Sequence, residues 1–488
     1  MVINKVQLAT YPDSLGGDLR SLYNVLNDYF EGIFKGGVHI LPPFPSSGDR
    51  GFAPLTYMEI DPFFGHWDDI GCIGEKYPIT LDLVVNHISR QSDYFRDFLK
   101  TGKESKYADM FLTLDKLWIE GSPDKEDISK IFLRRKTPYS SFIIEKTGKE
   151  ETVWTTFGKT EPSEQIDLDV NSGIVHELYR EFFKKASRHN VSMVRLDAIA
   201  YVIKKPGTNC FFVEPEIYHF LDRLTEMAAT RGIELVPEVH AHYSIQYKLA
   251  ERGIWIYDFI LPFLILQALI NHSAEELIGY IRRRPHNQIT MLDCHDGIPV
   301  KPDLDELVGS DKASQIVDIC VQRGANLSRI ISESHKGEDG FDAHQIRCTY
   351  YSALDCNDNA YIAARAIQFF TPGIPQVYYV GLLAGKNDTD RVMQTGEGRD
   401  INRHNYTIDE IDSATRSKVV QRLLRLIRLR NDYPAFDGVF ECQGKNETCL
   451  MMTWKKEKYR CCAEIDLADY SVQISYIDDT GHNASFKV

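Results

Sequence analysis

Apolar residues in this chain follow two alternating rhythms. Short, nearly continuous runs give way to longer stretches in which apolar positions return every third or fourth residue, the spacing of an amphipathic helix. Lys5–Tyr11 (KVQLATY) reads as a first strand and Ser21–Phe30 as the helix after it. Gly37–Leu41 (GVHIL) is a second strand, stopped by Pro42 and Pro43, and Ile79–Val85 (ITLDLVV) is a third. The rhythm then breaks: residues 88–170 are charged and irregular and read as an inserted subdomain. It resumes with helix Ile174–Arg188, strand Ser192–Leu196, helix Glu216–Thr230 and strand Ile233–Pro237. Strands near Ile256–Ile260 and Gln288–Leu292 follow, with a helix between them that reaches Arg284. A second irregular stretch, 297–355, contains the run Gly337–Asp342 and reads as another insertion. A last strand is expected near Gln376–Tyr379 and a helix over Lys418–Arg430. From about residue 437 short alternating strands (CLMMTW, SVQISYI) suit a small β domain.

Strands separated by helices need crossover connections and so a parallel sheet. Eight such units fit a closed barrel. An open doubly wound sheet is the alternative. It is disfavoured because no GxGxxG follows the first strand and polar residues end at least five strands. The expected class is α/β: a (β/α)8 TIM barrel with subdomains inserted after strands 3 and 7 and a C-terminal β domain. The expected divisions are 1–87, 171–296 and 356–436 for the barrel, 88–170 and 297–355 for the insertions, and 437–488 for the last domain.

Composition narrows the partners. With 43% apolar and 26% charged residues in 488, the chain is globular rather than disordered or collagen-like. Its 56 basic and 70 acidic side chains leave a formal net charge of −14. Most of such a surface repels nucleic acid and anionic lipid, so neither is an expected partner, and a phosphate-bearing ligand needs a local basic pocket. The most apolar stretch, Phe259–Ile270, contains Pro262 and Gln267 and is shorter than the ~20 residues of a membrane span. The opening MVINKVQLATYP lacks the basic start and apolar run of a signal peptide, so a cytoplasmic location is expected. Ten cysteines, one adjacent pair (Cys461–Cys462) and no CxxC then suit reduced, buried thiols.

Barrel chemistry gathers where strands end, because the loops there converge on one cavity. The third strand runs into Asn86–His87, the fourth into Arg195–Leu196–Asp197, the fifth into Glu238–Val239–His240 and the seventh into Asp293–Cys294–His295–Asp296. Any one group has a plain reading as a capping or packing residue. Four in one register are hard to explain that way, because buried carboxylates are costly unless paired or functional. Several carboxylates in one pocket suit glycosyl chemistry, in which one acts as nucleophile and one as proton donor, about 5 to 5.5 Å apart in retaining enzymes. The strand pattern alone does not assign the roles.

The segments LDLVVNH (81–87), VRLDAIAY (194–201), PEVH (237–240) and LDCHDG (292–297) resemble, in order, the four signature regions of the α-amylase family. GGVHILPPFPSSGDRGFAPLTY (36–57), NHISRQS (86–92) and GRDINRH (398–404) resemble its sucrose phosphorylase branch, and the likeness runs over nearly the whole chain. The resemblance implies that Asp197 is the nucleophile, Glu238 the acid/base and Asp296 the transition-state stabiliser. Arg195 would keep Asp197 ionised by charge pairing. His87 and His295 would hydrogen-bond glucosyl hydroxyls, and Asp49 and Arg399 would close the end of the pocket, with Phe52 as an apolar wall. Gln165 (in EQIDLD) and Phe157 (in TTFG) resemble residues lining that site, although Phe52 and Phe157 also suit core packing. A sugar substrate and inorganic phosphate are implied. No cofactor and no metal are, and no run resembles an EF-hand loop.

Two loops are expected to form the acceptor subsite: Arg134–Arg135–Lys136 in the first insertion and Asp342–Ala343–His344–Gln345 in the second. The branch typically has Tyr, preceded by a bulky apolar residue, where this chain has Ala343–His344. The exchange removes bulk and adds a potential donor or cation. Arg134 offers a guanidinium whose fork matches phosphate oxygens. The sharper expectation is therefore a phosphorylated acceptor: reversible phosphorolysis of sucrose 6′-phosphate to α-D-glucose 1-phosphate and D-fructose 6-phosphate. Unphosphorylated sucrose is the alternative, with the basic run a solvated loop or a site for inorganic phosphate. His240 and His242 also suit this subsite, and a structural role for His242 stays open. A hydrolase or glucan-forming transferase would be told apart by its product. A catalytically dead scaffold should have lost a carboxylate, and all three are present.

Overall fold

The computed structural model describes residues 2–118, 121–332, 336, 340–478 and 480–488. One sheet contains eight strands: β1 (Gln7–Thr10), β2 (Gly37–Ile40), β3 (Ile79–Val84), β4 (Val191–Asp197), β5 (Glu234–Pro237), β6 (Ile256–Asp258), β7 (Gln288–Thr290) and β8 (Ile374–Tyr378). Their order is β6-β7-β8-β1-β2-β3-β4-β5, which is chain order cyclically permuted, as a barrel requires. The ladders β3–β4, β4–β5, β6–β7, β7–β8 and β8–β1 are parallel. β1, β2 and β3 are buried at every position, which is why they read as continuous apolar runs rather than alternating ones.

Helices begin where the chain supplies a cap. Asp18 accepts from Ser21 N ahead of helix Leu19–Asp28, Ser172 caps Gly173–Arg188 and Ser417 caps Lys418–Asp432. The single helix expected before Arg284 is two, Leu261–Asn271 and Glu275–Ile281, parted at His272, whose backbone is left-handed (φ 52°). Nine of the 11 residues in Leu261–Asn271 are buried. Asp258, at the end of β6, caps it: Oδ1 accepts from Ile260 N (3.1 Å), Leu261 N (3.0 Å) and Tyr280 Oη (2.7 Å), and Oδ2 pairs with Arg284 Nε at 2.7 Å. Among the described residues no helix is long and apolar enough to cross a membrane.

The two irregular stretches do carry secondary structure. The first holds helix Asp93–Thr101 and the antiparallel pair Tyr139–Ile143 and Glu150–Trp154. The second holds helix Ser310–Gln322 and a three-stranded sheet ordered Ile298–Pro299, Ala343–Arg347, Asn326–Arg329. The strands among them are short, Ile298–Pro299 having only two residues, and show no period in the sequence, whereas helix Ser310–Gln322 buries Ala313, Ile316, Val317 and Cys320 at helical spacing that the sequence reading passed over. Of the run Gly337–Asp342, residues 337–339 lie outside the described residues. The C-terminal residues form a five-stranded antiparallel meander from Val439 to Lys487. The ten cysteines are free thiols, most of them buried.

The chain divides into two compact units. One comprises residues 40–239 and 330–342, and the other comprises 2–39, 240–329 and 343–488.

Candidate active site

In the first unit the site is built around the C-terminal end of β4. The parallel register with β3 sets Asp82 opposite Arg195 and Val84 opposite Asp197. Arg195 Nη1 donates to Asp82 and, at 3.0 Å, to Asp197 Oδ1. Its Nη2 lies 3.0 Å from Glu238 Oε1. After Asp197 the backbone turns left-handed at Ala198 (φ 56°), which aims the Ala198 N–H at Glu238 Oε2, 3.3 Å away. Glu238 N in turn donates to Leu196 O at 3.0 Å, so strands β4 and β5 fix the spacing of the two acids. One guanidinium thus holds three carboxylates, and Asp82 is completely buried. Such a cation is a fixed, preorganised charge at the meeting point of the three side chains and costs no reorganisation during a reaction.

An aromatic and amide wall adjoins this cluster. Phe52 places its ring 5.7 Å from Arg195 Cζ, and its carbonyl accepts from His87 Nε2 (2.9 Å) and Gln165 Nε2 (3.3 Å). The preceding loop runs through left-handed Asp49 (φ 46°), Arg50 (φ 51°) and Gly51 (φ 104°). At Gly51 a Cβ would stand 2.5 Å from Pro42 O, so only glycine fits. Phe157 is half-buried. Its ring lies 5.3 Å from His87 and 4.9 Å from Tyr201, and 6.0 Å from the guanidinium carbon of Arg134. Burial holds the His87 imidazole below its ordinary pKa, in keeping with a neutral ring.

The basic triplet splits. Arg134 faces Phe157, whereas Arg135 is buried and donates to Ser140 Oγ (2.9 Å), Thr155 Oγ1 (2.8 Å), Thr160 O (3.0 Å) and Glu161 Oε2 (2.6 Å). Arg135 is thus a structural clamp, and Lys136 is exposed. Asp342 accepts from Ile330 N through its carbonyl at 2.8 Å.

In the second unit Asp296 sits after β7 among cations. Arg399 Nε lies 3.2 Å from its Oδ1, Arg403 Nη2 3.6 Å and His295 Nε2 3.7 Å. Burial alone would raise its pKa. Arg399, His295, Arg403 and His240 together outweigh burial and hold the carboxyl well below the usual range. Arg403 also fixes His295, donating from Nε to His295 O at 3.0 Å, and Tyr11 meets the His295 ring edge-on at 6.2 Å. His240 stacks on Phe259 at 3.8 Å, with Nδ1 3.5 Å from buried Asp303 and its ring 6.0 Å from His344. His344 Nδ1 donates to Lys301 O at 2.6 Å. His344 and Gln345 are neighbours on one strand and leave on opposite faces, and His344 is the one beside His240. His242 caps helix Tyr243–Glu251 and pairs with Glu306 at 3.5 Å, a structural role.

The first unit thus brings together Asp197, Glu238, Arg195, Phe52, His87, Gln165, Phe157 and Arg134, and the second brings together Asp296, His295, Arg399, His240 and His344. Sequence reasoning missed Asp82, Asp303, Arg403 and Lys204. Asp82 had a signal: an acid inside the apolar run ITLDLVV must be paired.

Comparison with known proteins gives the family. A model of the α-amylase catalytic domain matches residues 6–258. The chain is 63% identical over 485 residues, 99% of each chain, to a Thermoanaerobacterium thermosaccharolyticum protein named sucrose 6(F)-phosphate phosphorylase. It is 42% identical over 483 residues to sucrose phosphorylase of Streptococcus mutans, covering 98% of this chain and 99% of that one. The crystal structure of sucrose 6F-phosphate phosphorylase from Thermoanaerobacter thermosaccharolyticum matches it with a TM-score of 0.98 at 63% identity, over 100% of this chain and 99% of that one. With acids at the ends of the strands, a parallel eight-stranded sheet that presents them and relatives matching from end to end, the chain belongs to the α-amylase family.

Proposed function

We propose that the chain is a retaining phosphorylase that cleaves sucrose 6′-phosphate with inorganic phosphate, giving α-D-glucose 1-phosphate and D-fructose 6-phosphate. What carries the reading is the shared grip of Arg195 on Asp197 and Glu238, each at 3.0 Å, in a chain 63% identical to a phosphorylase of that name.

In the first step an Asp197 oxygen attacks the anomeric carbon and the glycosidic C–O bond breaks. The proton of Glu238 goes to the departing fructosyl oxygen, leaving a β-glucosyl ester. Arg195 suits this exchange of charge. As Asp197 loses its negative charge to the ester, Glu238 gains one at the other end of the same guanidinium. In the second step a phosphate oxygen attacks the same carbon from the face the fructosyl group left, and the bond to Asp197 breaks. Two inversions give net retention. Phosphate is already a competent nucleophile, so its charge needs an offset more than its proton needs a base, and that proton ends on the Glu238 carboxylate and restores the acid.

Asp296, held ionised by Arg399 and Arg403, suits support of the oxocarbenium-like centre. Asp49, Phe52, His87, Phe157, Gln165, Arg195, His295 and Arg399 are assigned to the glucosyl subsite, and Arg134, His240, Asp342, His344 and Gln345 to the acceptor and phosphate subsite. Charged sugar phosphates do not cross bilayers unaided, so a cytoplasmic site of action belongs to the same reading.

The test is kinetic. In phosphate buffer kcat/KM should favour sucrose 6′-phosphate over sucrose. Arg134→Ala and His344→Tyr should weaken the phosphorylated substrate selectively. A preference for sucrose, or equal effects on both sugars, would overturn the acceptor assignment while leaving a sucrose phosphorylase. Free glucose or polymer in place of glucose 1-phosphate would overturn phosphorolysis itself.

A further inference from the structure

Ser332 takes no part in the reaction scheme, yet its hydroxyl is fully engaged. The residue is 5% exposed and sits near the neck of loop 330–342, which closes where Ile330 N donates to Asp342 O at 2.8 Å. Both of its printed contacts fall on one distant segment. Oγ accepts from Leu133 N at 2.7 Å and donates to Ile131 O at 3.2 Å. Leu133 immediately precedes Arg134.

In an extended chain the carbonyl of one residue and the N–H two residues later leave on the same side, where a neighbouring strand would meet them. Ile131 is extended (φ −67°, ψ 134°). A serine hydroxyl has one proton to give and lone pairs to accept with, so a single side chain stands in for that strand. The N–H between them leaves the other way: Phe132 N donates to Asn209 O at 2.9 Å, and the Phe132 ring packs on Phe211 at 5.0 Å. The main chain is thus gripped on both sides just ahead of Arg134. The Arg135 clamp differs in kind. It acts through the far end of its side chain, several rotatable bonds from the backbone, and so leaves the Arg134 main chain to be set from the Leu133 side.

We propose that Ser332 is a positioning residue for Arg134: it fixes the backbone from which the guanidinium reaches and ties that segment to the loop that ends at Asp342. The proposal rests on the acceptor reading above, in which Arg134 meets the phosphate of the sugar. A guanidinium fork pairs with phosphate oxygens only at the right distance and angle. Selectivity for the phosphorylated sugar should therefore depend on a hydroxyl that acts through the main chain.

The experiment is a double-mutant cycle on the full chain, read on two sugars. Ser332→Ala should lower kcat/KM for sucrose 6′-phosphate about tenfold, mostly through KM, and change that for sucrose by less than about twofold. In an Arg134→Ala background the same substitution should cost nothing further on either sugar. Equal losses on both sugars, or a loss that adds to that of Arg134→Ala, overturns the proposal. If Ser332→Ala does not fold, Ser332→Cys takes its place in the cycle. Its thiol is a weaker donor and acceptor, so the selective loss should be smaller, and unchanged selectivity overturns the proposal. The tie is also read without substrate, by hydrogen exchange of the Leu133 amide in the chain labelled with 15N-leucine, the signal being assigned by its loss in Leu133→Met. The wild-type amide should be protected, and Ser332→Ala or Ser332→Cys should speed its exchange, about tenfold for the alanine. An unprotected wild-type amide, beside an Arg134→Ala that weakens the phosphorylated sugar selectively, would sink the proposal and leave the acceptor reading. A protected amide, beside an Arg134→Ala that weakens both sugars alike, would sink the acceptor reading and with it the role given to Ser332, leaving only the tie.

Discussion

Replacing Arg195 by lysine tests the centre of the site while keeping its charge. The guanidinium reaches Asp82 and Asp197 through Nη1 and Glu238 through Nη2, the last two at 3.0 Å. A lysine ammonium is one compact point on a flexible stem and cannot span all three, so at least two contacts are lost. A hydrogen bond to a charged group contributes about 1.5–3 kcal/mol, which puts the combined loss at about 3–6 kcal/mol. If that loss is expressed in the transition state, kcat/KM falls about 10²–10⁴-fold at ~1.4 kcal/mol per decade. The cation remains, so no buried acid is left wholly uncompensated, and Arg195→Lys should still fold. Arg195→Met should instead melt far lower, with three acids gathered around nothing. The assay is the initial rate of glucose 1-phosphate release from sucrose 6′-phosphate at saturating phosphate, with a thermal melt on the same sample. A folded Arg195→Lys retaining more than a tenth of wild-type kcat/KM would show that the contacts of this guanidinium are not those that govern the reaction.

Glu238→Gln removes the proposed proton donor and should cost about 10²–10⁴ in kcat on the natural glycoside. Glucosyl fluoride, whose leaving group needs no proton, should still give a rapid first step, and equal losses on both donors would contradict the assignment. The carboxyl of Asp296 has a pKa depressed below its unfolded value, so its stabilising share is present above about pH 4 and is lost as pH falls through the folded value. Urea midpoints of the wild type should therefore drop more steeply below pH ~4 than those of Asp296→Asn, and parallel curves would refute the charge pairing. Arg284→Met breaks a fully buried pair with Asp258 and should cost about 3–5 kcal/mol of stability with KM unchanged, read as a lowered urea midpoint beside steady-state kinetics.

The barrel strands were legible because they are short, largely apolar runs, a pattern imposed by burial on both faces, and the third, fourth, fifth and seventh run into polar groups. The helices were legible through the spacing of their apolar positions, and the caps Asp18, Ser172 and Ser417 emerged only from the structure. The insertions were not: strands as short as Ile298–Pro299 leave no period to detect, and the helical spacing of Ser310–Gln322 was lost among its charged neighbours. Asp197, Glu238 and Asp296 stood out through their places at strand ends. What surrounds them is a matter of side-chain packing between segments distant in sequence. Nothing in the run Arg134–Arg135–Lys136 says that the middle residue turns inward to Ser140 and Thr155 while the first faces Phe157. Phe157 could have been core, and only its half-exposure beside His87 and Arg134 separates the two readings. Lys204 offered no cue at all, because a lysine in a loop is ordinarily exposed, and this one is taken inside by Asp167 and Asn86.

The helix Leu261–Asn271 has a consequence for the nascent chain. It is greasy on nearly every side, and its first turn is anchored by a single carboxylate, Asp258, which also receives Tyr280 and Arg284. Before that anchor closes, the segment is the stickiest stretch the ribosome delivers. Substitutions at Asp258 should therefore be seen first in the partition between inclusion bodies and cleared lysate, long before any assay of catalysis registers them.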